Sequence, residues 1–208
     1  MIGGDDPVSV TPREAKKERT TGRDAGCDRV RCKTPGKGRM LVLGLGNPFL
    51  TDDAVGLLVT QKVRDILPAG LNVEVRQGSV AGFDLLDTLC GFQRVIVVDA
   101  IKTADGTPGS VYRLTPEDLP ASERLAAAHE ISLPTALSLG RLMGVEMPAE
   151  VVIVAIEIED NRSFSETCCP AVAAAIDSAA ALVLLEISGR PDKRPAPVAQ
   201  AELVCSND

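Results

Sequence analysis

The stretch Met40-Leu-Val-Leu-Gly-Leu-Gly-Asn-Pro-Phe-Leu-Thr-Asp-Asp-Ala-Val-Gly56 constrains the fold more than any other part of the chain. Leu41 to Leu45 is an apolar run too short for a helix and bounded by glycine, the pattern of a strand buried on both faces. Gly44, Gly46 and Pro48 then break it. Beyond Asp52 and Asp53, the residues Val55, Leu58, Val59, Val63 and Ile66 recur at three-and-four spacing and draw one apolar helix face. Thr51 or Asp52 is the expected N-cap, accepting a backbone N–H that the first helical turn cannot satisfy. Strand, glycine loop and helix follow one another, with a carboxylate at the changeover. Open α/β sheets place their chemistry at such points.

The rest of the chain repeats the alternation. Val73 to Arg76 reads as a half-exposed strand, Gln77 to Gly82 as a second glycine loop, and Phe83 to Cys90 as a short helix. Arg94 to Asp99 is the clearest strand, with four β-branched residues ending in an acid, and Ser110 to Leu114 reads as an edge strand. Thr115 to Asp118 resembles a helix start with Pro116 at its first position. A helix over Leu133 to Met143, a strand over Val151 to Ile158 and a helix over Cys168 to Ile187 complete the order. This alternation predicts a three-layer α/β/α architecture, a twisted and mostly parallel sheet of about five strands with helices on both faces. The globular domain is expected over residues 40–187. Residues 1–39 read as a disordered N-terminal extension, with Met40 a natural start, and residues 188–208 as a flexible tail.

Composition excludes several classes. With no Trp, one Tyr and four Phe, the core must be aliphatic. Pro170 to Ile187 is apolar but interrupted by Asp177 and Ser178, so it reads as a buried helix, and no apolar secretory segment opens the chain. The expectation is a soluble, cytoplasmic protein with no membrane partner. Residues 1–39 carry 10 Lys/Arg against 6 Asp/Glu, which leaves 22 − 10 = 12 basic and 29 − 6 = 23 acidic residues beyond them, a net of −11. An acidic body argues against nucleic acid, whose phosphates need basic surface. The six cysteines contain no C-x-x-C, so reduced, mostly structural thiols are expected rather than a zinc site.

Asp53 and Asp99 stand out by position. If their strands are parallel, both acids emerge at one edge of the sheet. Asp53 also suits a helix first turn, where the dipole favours a carboxylate; Asp99 directly continues an apolar strand, a costly place for an acid that is not bonded or used. His129 is the single histidine, which rules out multi-histidine zinc sites. Grouped with the two acids it offers O,O,N ligation suited to a borderline divalent metal with open positions. Gly44-x-Gly46 lacks a third glycine at the dinucleotide spacing, where Phe49 stands, so nucleotide binding is disfavoured. No G-x-S-x-G nucleophile elbow occurs, which disfavours a general α/β hydrolase of small molecules.

Taken together, Gly44-Leu-Gly46-Asn47 with Asp52-Asp53-Ala-Val-Gly56, the loop Gly78-Ser-Val-Ala-Gly82, Val97-Val-Asp99-Ala100 and His129-Glu-Ile-Ser-Leu133 resemble the hydrogenase maturation endopeptidases across roughly residues 40–187. That resemblance implies an endopeptidase that removes the C-terminal peptide of the large subunit of a nickel–iron hydrogenase. It implies a metal-contacting set of Asp53, Asp99 and His129, with Asp53 and Asp99 catalytic and Gly46, Asn47 and Gly78 in the substrate-binding glycine loops. The nickel is implied to arrive in the substrate and to serve as its recognition element. Hydrolysis itself stays open between a nickel-polarised carbonyl with an acid-oriented water and an aspartic-type pair sharing one proton. The alternative is a non-catalytic module that binds metal or metalloprotein as a checkpoint in hydrogenase assembly.

Overall fold

In the first strand, β1 (Met40–Leu45), successive side chains feed two cores at once, which is why no polar residue interrupts it. Leu41, Leu43 and Leu45 enter one layer and Val42 the other. The computed structural model describes residues 38–80, 82–119 and 132–189. The extension and tail expected from the sequence lie outside them over residues 1–37 and 190–208, as does His129. After β1 come α1 (Val55–Ile66), β2 (Val73–Gly78), α2 (Phe83–Leu89), β3 (Arg94–Ile101) and β4 (Val111–Leu114). A 3-10 turn (Pro116–Asp118), α3 (Leu133–Leu142), β5 (Glu150–Glu157) and α4 (Pro170–Ile187) follow.

The strands form one sheet in the order β2-β1-β3-β5-β4, parallel except for β4, which runs antiparallel to β5 at an edge. Val95 and Val97 of β3, with Val151, Ile153 and Ala155 of β5, join the odd leucines of β1 against α2 and α3. Ile96, Val98, Val154 and Ile156 face α1 and α4 with Val42. This is the three-layer α/β/α arrangement that the alternation predicts. By length and composition α4 is long and apolar enough to cross a membrane. In this fold Val172, Ala175, Ala179, Ala180 and Val183 pack it into the second core. Its last turn carries buried Glu186, whose carboxylate pairs with Arg94 at 2.6 Å and Arg113 at 2.7 Å, so the charge is compensated where it is buried.

Three boundaries differ from the sequence reading by two residues. Strand β2 runs on to Gly78 because Leu45 supplies a register partner there. Strand β3 continues through Ile101 against β5, so Asp99 lies within the strand and not at its end. The last helix starts at Pro170, whose missing N–H and fixed φ suit a first turn, and not at Cys168. The cap expected for α1 is a further correction. Its N-cap is Ala54, with no side-chain hydrogen bond, because Thr51 and Asp52 are both engaged by the loop before α4.

Glycine lets α1 press onto the sheet. A Cβ on Gly56 would stand 2.2 Å from the Leu45 carbonyl oxygen and 2.5 Å from that of Val98. A Cβ on Gly44 would meet Thr60 Oγ1 at 2.2 Å. The start of α1 is thus seated between the ends of β1 and β3, which brings the loop before it over the carboxyl edge of the sheet. Gly56→Ala should destabilise the fold by roughly 2–4 kcal/mol in urea unfolding, since the strand carbonyls cannot retreat and the helix-propensity gain is only about 1 kcal/mol. An unchanged midpoint would show that the helix can lift at no cost.

Candidate active site

The loop between β1 and α1 folds back on itself. Gly46 adopts φ +145°, and a Cβ there would lie 2.0 Å from the Asp53 carbonyl oxygen, so only glycine permits the approach. Asn47 sits at the hinge. Its backbone N–H donates to Asp53 Oδ2 at 2.7 Å, while its side-chain Oδ1 accepts from the Phe49 N–H at 3.0 Å. On the other side, Ser79 Oγ donates to the Gly46 carbonyl at 2.6 Å and ties the second glycine loop to the first. Gly46, Asn47, Phe49, Gln77, Gly78 and Ser79 wall a cleft of about 580 Å³. The three positions expected in substrate binding therefore share one cleft.

The same loop reaches across β3 to the connection between β5 and α4. The Thr51 N–H donates to the Ser163 carbonyl at 2.9 Å and the Asp52 N–H to that of Asp160 at 3.0 Å. Asp52 is wholly buried, and its carboxylate accepts backbone N–H groups of Glu159 (3.1 Å), Asp160 (2.9 Å) and Cys169 (2.7 Å). It therefore satisfies an orphan donor at the start of α4, a helix far along the chain, and not at the start of α1. Sequence reasoning missed this role. The doublet Asp52-Asp53 was the available signal, but nothing local says which acid faces the cleft and which the neighbouring loop.

Asp53 and Asp99 are brought near one another. Asp53 is 8% exposed and Asp99 3%. Burial raises the Asp53 pKa, partly offset by the Asn47 N–H. Burial and then the Asp53 charge lift Asp99 to about 8, against the opposing pull of the Ala100 N–H that Asp99 Oδ1 accepts at 2.8 Å. Among the described residues no Lys or Arg pairs with either acid. Two carboxylates close together in a poorly solvated place cannot both ionise cheaply, so the protonated form of Asp99 is favoured. His129, the third member expected, lies outside the described residues.

Among the described residues the cysteines add no nucleophile here. Cys168 and Cys169 are free, and burial first, then the Asp52 charge, pushes the Cys168 thiol up to about 11, away from the reactive thiolate. Cys90 is disulfide-bonded, so the expectation of reduced thiols fails at that position.

A doubly wound sheet whose carboxyl edge carries two buried acids, paired with no Lys or Arg among the described residues, beside a glycine-walled cleft offers a place for acid–base chemistry. Comparison with known proteins gives the family. Residues 57–186 match the model of the hydrogenase maturation protease family HycI, a span that includes Asp99 and begins just after Asp53. The hydrogenase 2 maturation protease of Escherichia coli K12 is 34% identical over 149 residues, covering 70% of this chain and 88% of the relative. The hydrogenase expression/formation protein HupD of Rhodobacter capsulatus is 26% identical over 151 residues, covering 72% and 71%. The solved structure of the hydrogenase maturating endopeptidase HybD from E. coli superimposes with a TM-score of 0.62 at 32% identity, covering 73% of this chain and 94% of that one. The chain belongs to the hydrogenase maturation protease family, and is therefore a peptidase.

Two measurements check this geometry. Asp52→Ala leaves three backbone donors without their acceptor and should cost roughly 3 kcal/mol or more in urea unfolding; a loss under about 1 kcal/mol would mean that water replaces the carboxylate freely. Asp99 has a folded pKa raised above its unfolded value. Its contribution to stability is complete below pH 3.8 and drains away as the pH climbs to about 8, because over that window the unfolded state sheds a proton the folded state keeps. Wild type should therefore lose stability relative to Asp99→Asn between pH 4 and about 8. Parallel stability profiles for the two proteins would contradict the burial of this charge.

Proposed function

We propose that this peptidase removes the C-terminal peptide from the nickel-loaded large subunit of a nickel–iron hydrogenase, a cytoplasmic reaction in which nickel already seated in the subunit is the recognition element. The observation that carries the reading is the buried pair Asp53 and Asp99, close enough for one charge to raise the other's pKa and paired with no basic side chain among the described residues. Such a pair favours a cation, and a divalent ion with vacant positions, delivered by the substrate, replaces the proton the pair otherwise retains. His129 joins this set on the strength of the family resemblance and completes an O,O,N donor group. Its place in the sequence is four positions before α3 begins.

Asp53 has the better access of the two to a water in the cleft, since its loop walls that cleft and its Oδ2 is already held by the Asn47 N–H. On this reading Asp53 takes the proton from the attacking water, while Asp99 stays fixed by the Ala100 N–H within β3. The ion in the substrate polarises the scissile carbonyl. The elevated pKa of Asp99 also favours a second reading, in which the two acids share one proton as an aspartic-type pair and need no ion for the bond-breaking step.

One experiment separates these. Purified chain is incubated with the large subunit in nickel-loaded and nickel-free forms, and the subunit mass is followed. Loss of a C-terminal peptide from the loaded form alone is expected; efficient cleavage of the nickel-free form would transfer the chemistry to the acid pair. Asp53→Asn and Asp99→Asn should each lower the processing rate by about 10²-fold or more, and full activity in either would remove that residue from the site. Binding of the loaded subunit with no mass change would support the non-catalytic checkpoint instead.

A further inference from the structure

Three of the chain's four phenylalanines are exposed, Phe49 by 70%, Phe83 by 64% and Phe164 by 84%, while Phe92 is buried. Each stands on a connection leaving the carboxyl end of a parallel strand: Phe49 after β1, Phe83 at the first turn of α2 after β2, and Phe164 between β5 and α4. In a chain with no Trp and a single Tyr, the aromatic surface is thus concentrated at the edge that carries Asp53 and Asp99. The opposite edge also exposes apolar side chains, such as Leu142 where α3 ends before β5, but these are not aromatic.

Two of the rings stand on backbone that is already ordered. Leu50 and Phe164 form an antiparallel bridge, the Ser165 N–H donates to the Phe49 carbonyl at 3.3 Å, and the Thr51 N–H and hydroxyl both donate to Ser163. Aromatic groups presented on a fixed backbone bind with little further ordering cost and are the usual anchors of protein interfaces. Phe49 walls the cleft together with Asn47, and Asn47 bonds both to the Phe49 backbone N–H and to Asp53, so the ring and the acid are carried by one hydrogen-bonded loop. A phenyl ring offers no oxygen, nitrogen or sulfur donor to ligate a divalent ion. A polypeptide with an apolar segment gains contact with such rings.

We propose that Phe49, Phe83 and Phe164 form the docking surface for the polypeptide this peptidase cuts, holding an apolar segment of the substrate beside the bond that is hydrolysed. The inference rests on the functional reading above and adds to it a source of affinity independent of the ion. The rings bind, and the acids act. Removing the rings should therefore weaken substrate binding and leave turnover intact, the reverse of removing an acid.

The test uses full-length chain and nickel-loaded large subunit, with initial rates taken over a range of subunit concentrations. In the triple variant Phe49→Ser, Phe83→Ser, Phe164→Ser, KM should rise roughly tenfold or more with kcat within about twofold of wild type. Replacement of the same three residues by Leu should restore much of the affinity. Leu142→Ser, which removes an equally exposed apolar group (85%) at the far edge, should leave KM unchanged. Because all three rings are exposed, the triple variant should keep the wild-type melting temperature, and the single substitutions carry the test should it not. A wild-type KM in the triple variant overturns the docking surface while leaving the functional reading intact. Wild-type chain that never processes the subunit overturns the functional reading. Sedimentation showing a wild-type dimer that the triple variant dissolves would assign the rings to a second copy of the chain and overturn the proposal as well.

Discussion

The Asp52 carboxylate is the contact on which the geometry of the site depends. One side chain accepts from Glu159, Asp160 and Cys169 and thereby joins the first loop of the domain to the last, across the strand that lies between them. Charge-assisted bonds to backbone donors are among the stronger hydrogen bonds a protein makes, and burial removes the competing water. With Asp52 held in this way, its neighbour Asp53 has little freedom. The Asn47 N–H then orients it, and Gly46 permits the turn that brings that N–H into reach. The order of influence is structural acid, then loop, then functional acid.

A second constraint acts from below. Gly44 and Gly56 let the start of α1 settle against the carbonyl ends of β1 and β3, closer than any side chain allows. Their cost is the backbone freedom that glycine loses on folding. What they provide is a close seat for α1, which holds the loop bearing Asp53 at the carboxyl edge of the sheet, while Asp99 sits inside β3 with an apolar residue on either side of it in the chain. Burial raises its pKa, and the Asp53 charge raises it further. The two acids destabilise one another, and such tension is common where function and stability compete. The fold tolerates it because the cores on both faces of the sheet are continuous and aliphatic.

The exposed phenylalanines belong to the same economy of placement. A chain short of aromatic residues would bury them if stability alone decided, since each covers far more apolar area than a valine. Only Phe92 is used in that way, beneath the guanidinium groups of Arg39 and Arg76. The other three remain in solvent at the edge that bears the acids, two of them on loops bonded to each other.

The sequence by itself determined the layers, the alternation of strand and helix, and the edge at which Asp53 and Asp99 emerge. These follow from local periodicity: continuous apolar runs such as Leu41 to Leu45 and Val95 to Val98 suit a strand with a core on each side, and glycine marks where they end. Only the tertiary structure decided what the polar loop residues do. Thr51 and Asp52 read as caps of the helix that follows them because sequence offers only near neighbours as partners, yet their partners lie 112 positions away at Ser163 and 117 at Cys169. The strand length around Asp99 was likewise beyond local reading, since β3 continues wherever β5 supplies hydrogen bonds. Periodicity is a property of one segment and survives in the sequence; hydrogen-bond partnership and proximity of charge belong to pairs of segments, and the folded chain alone brings those pairs together.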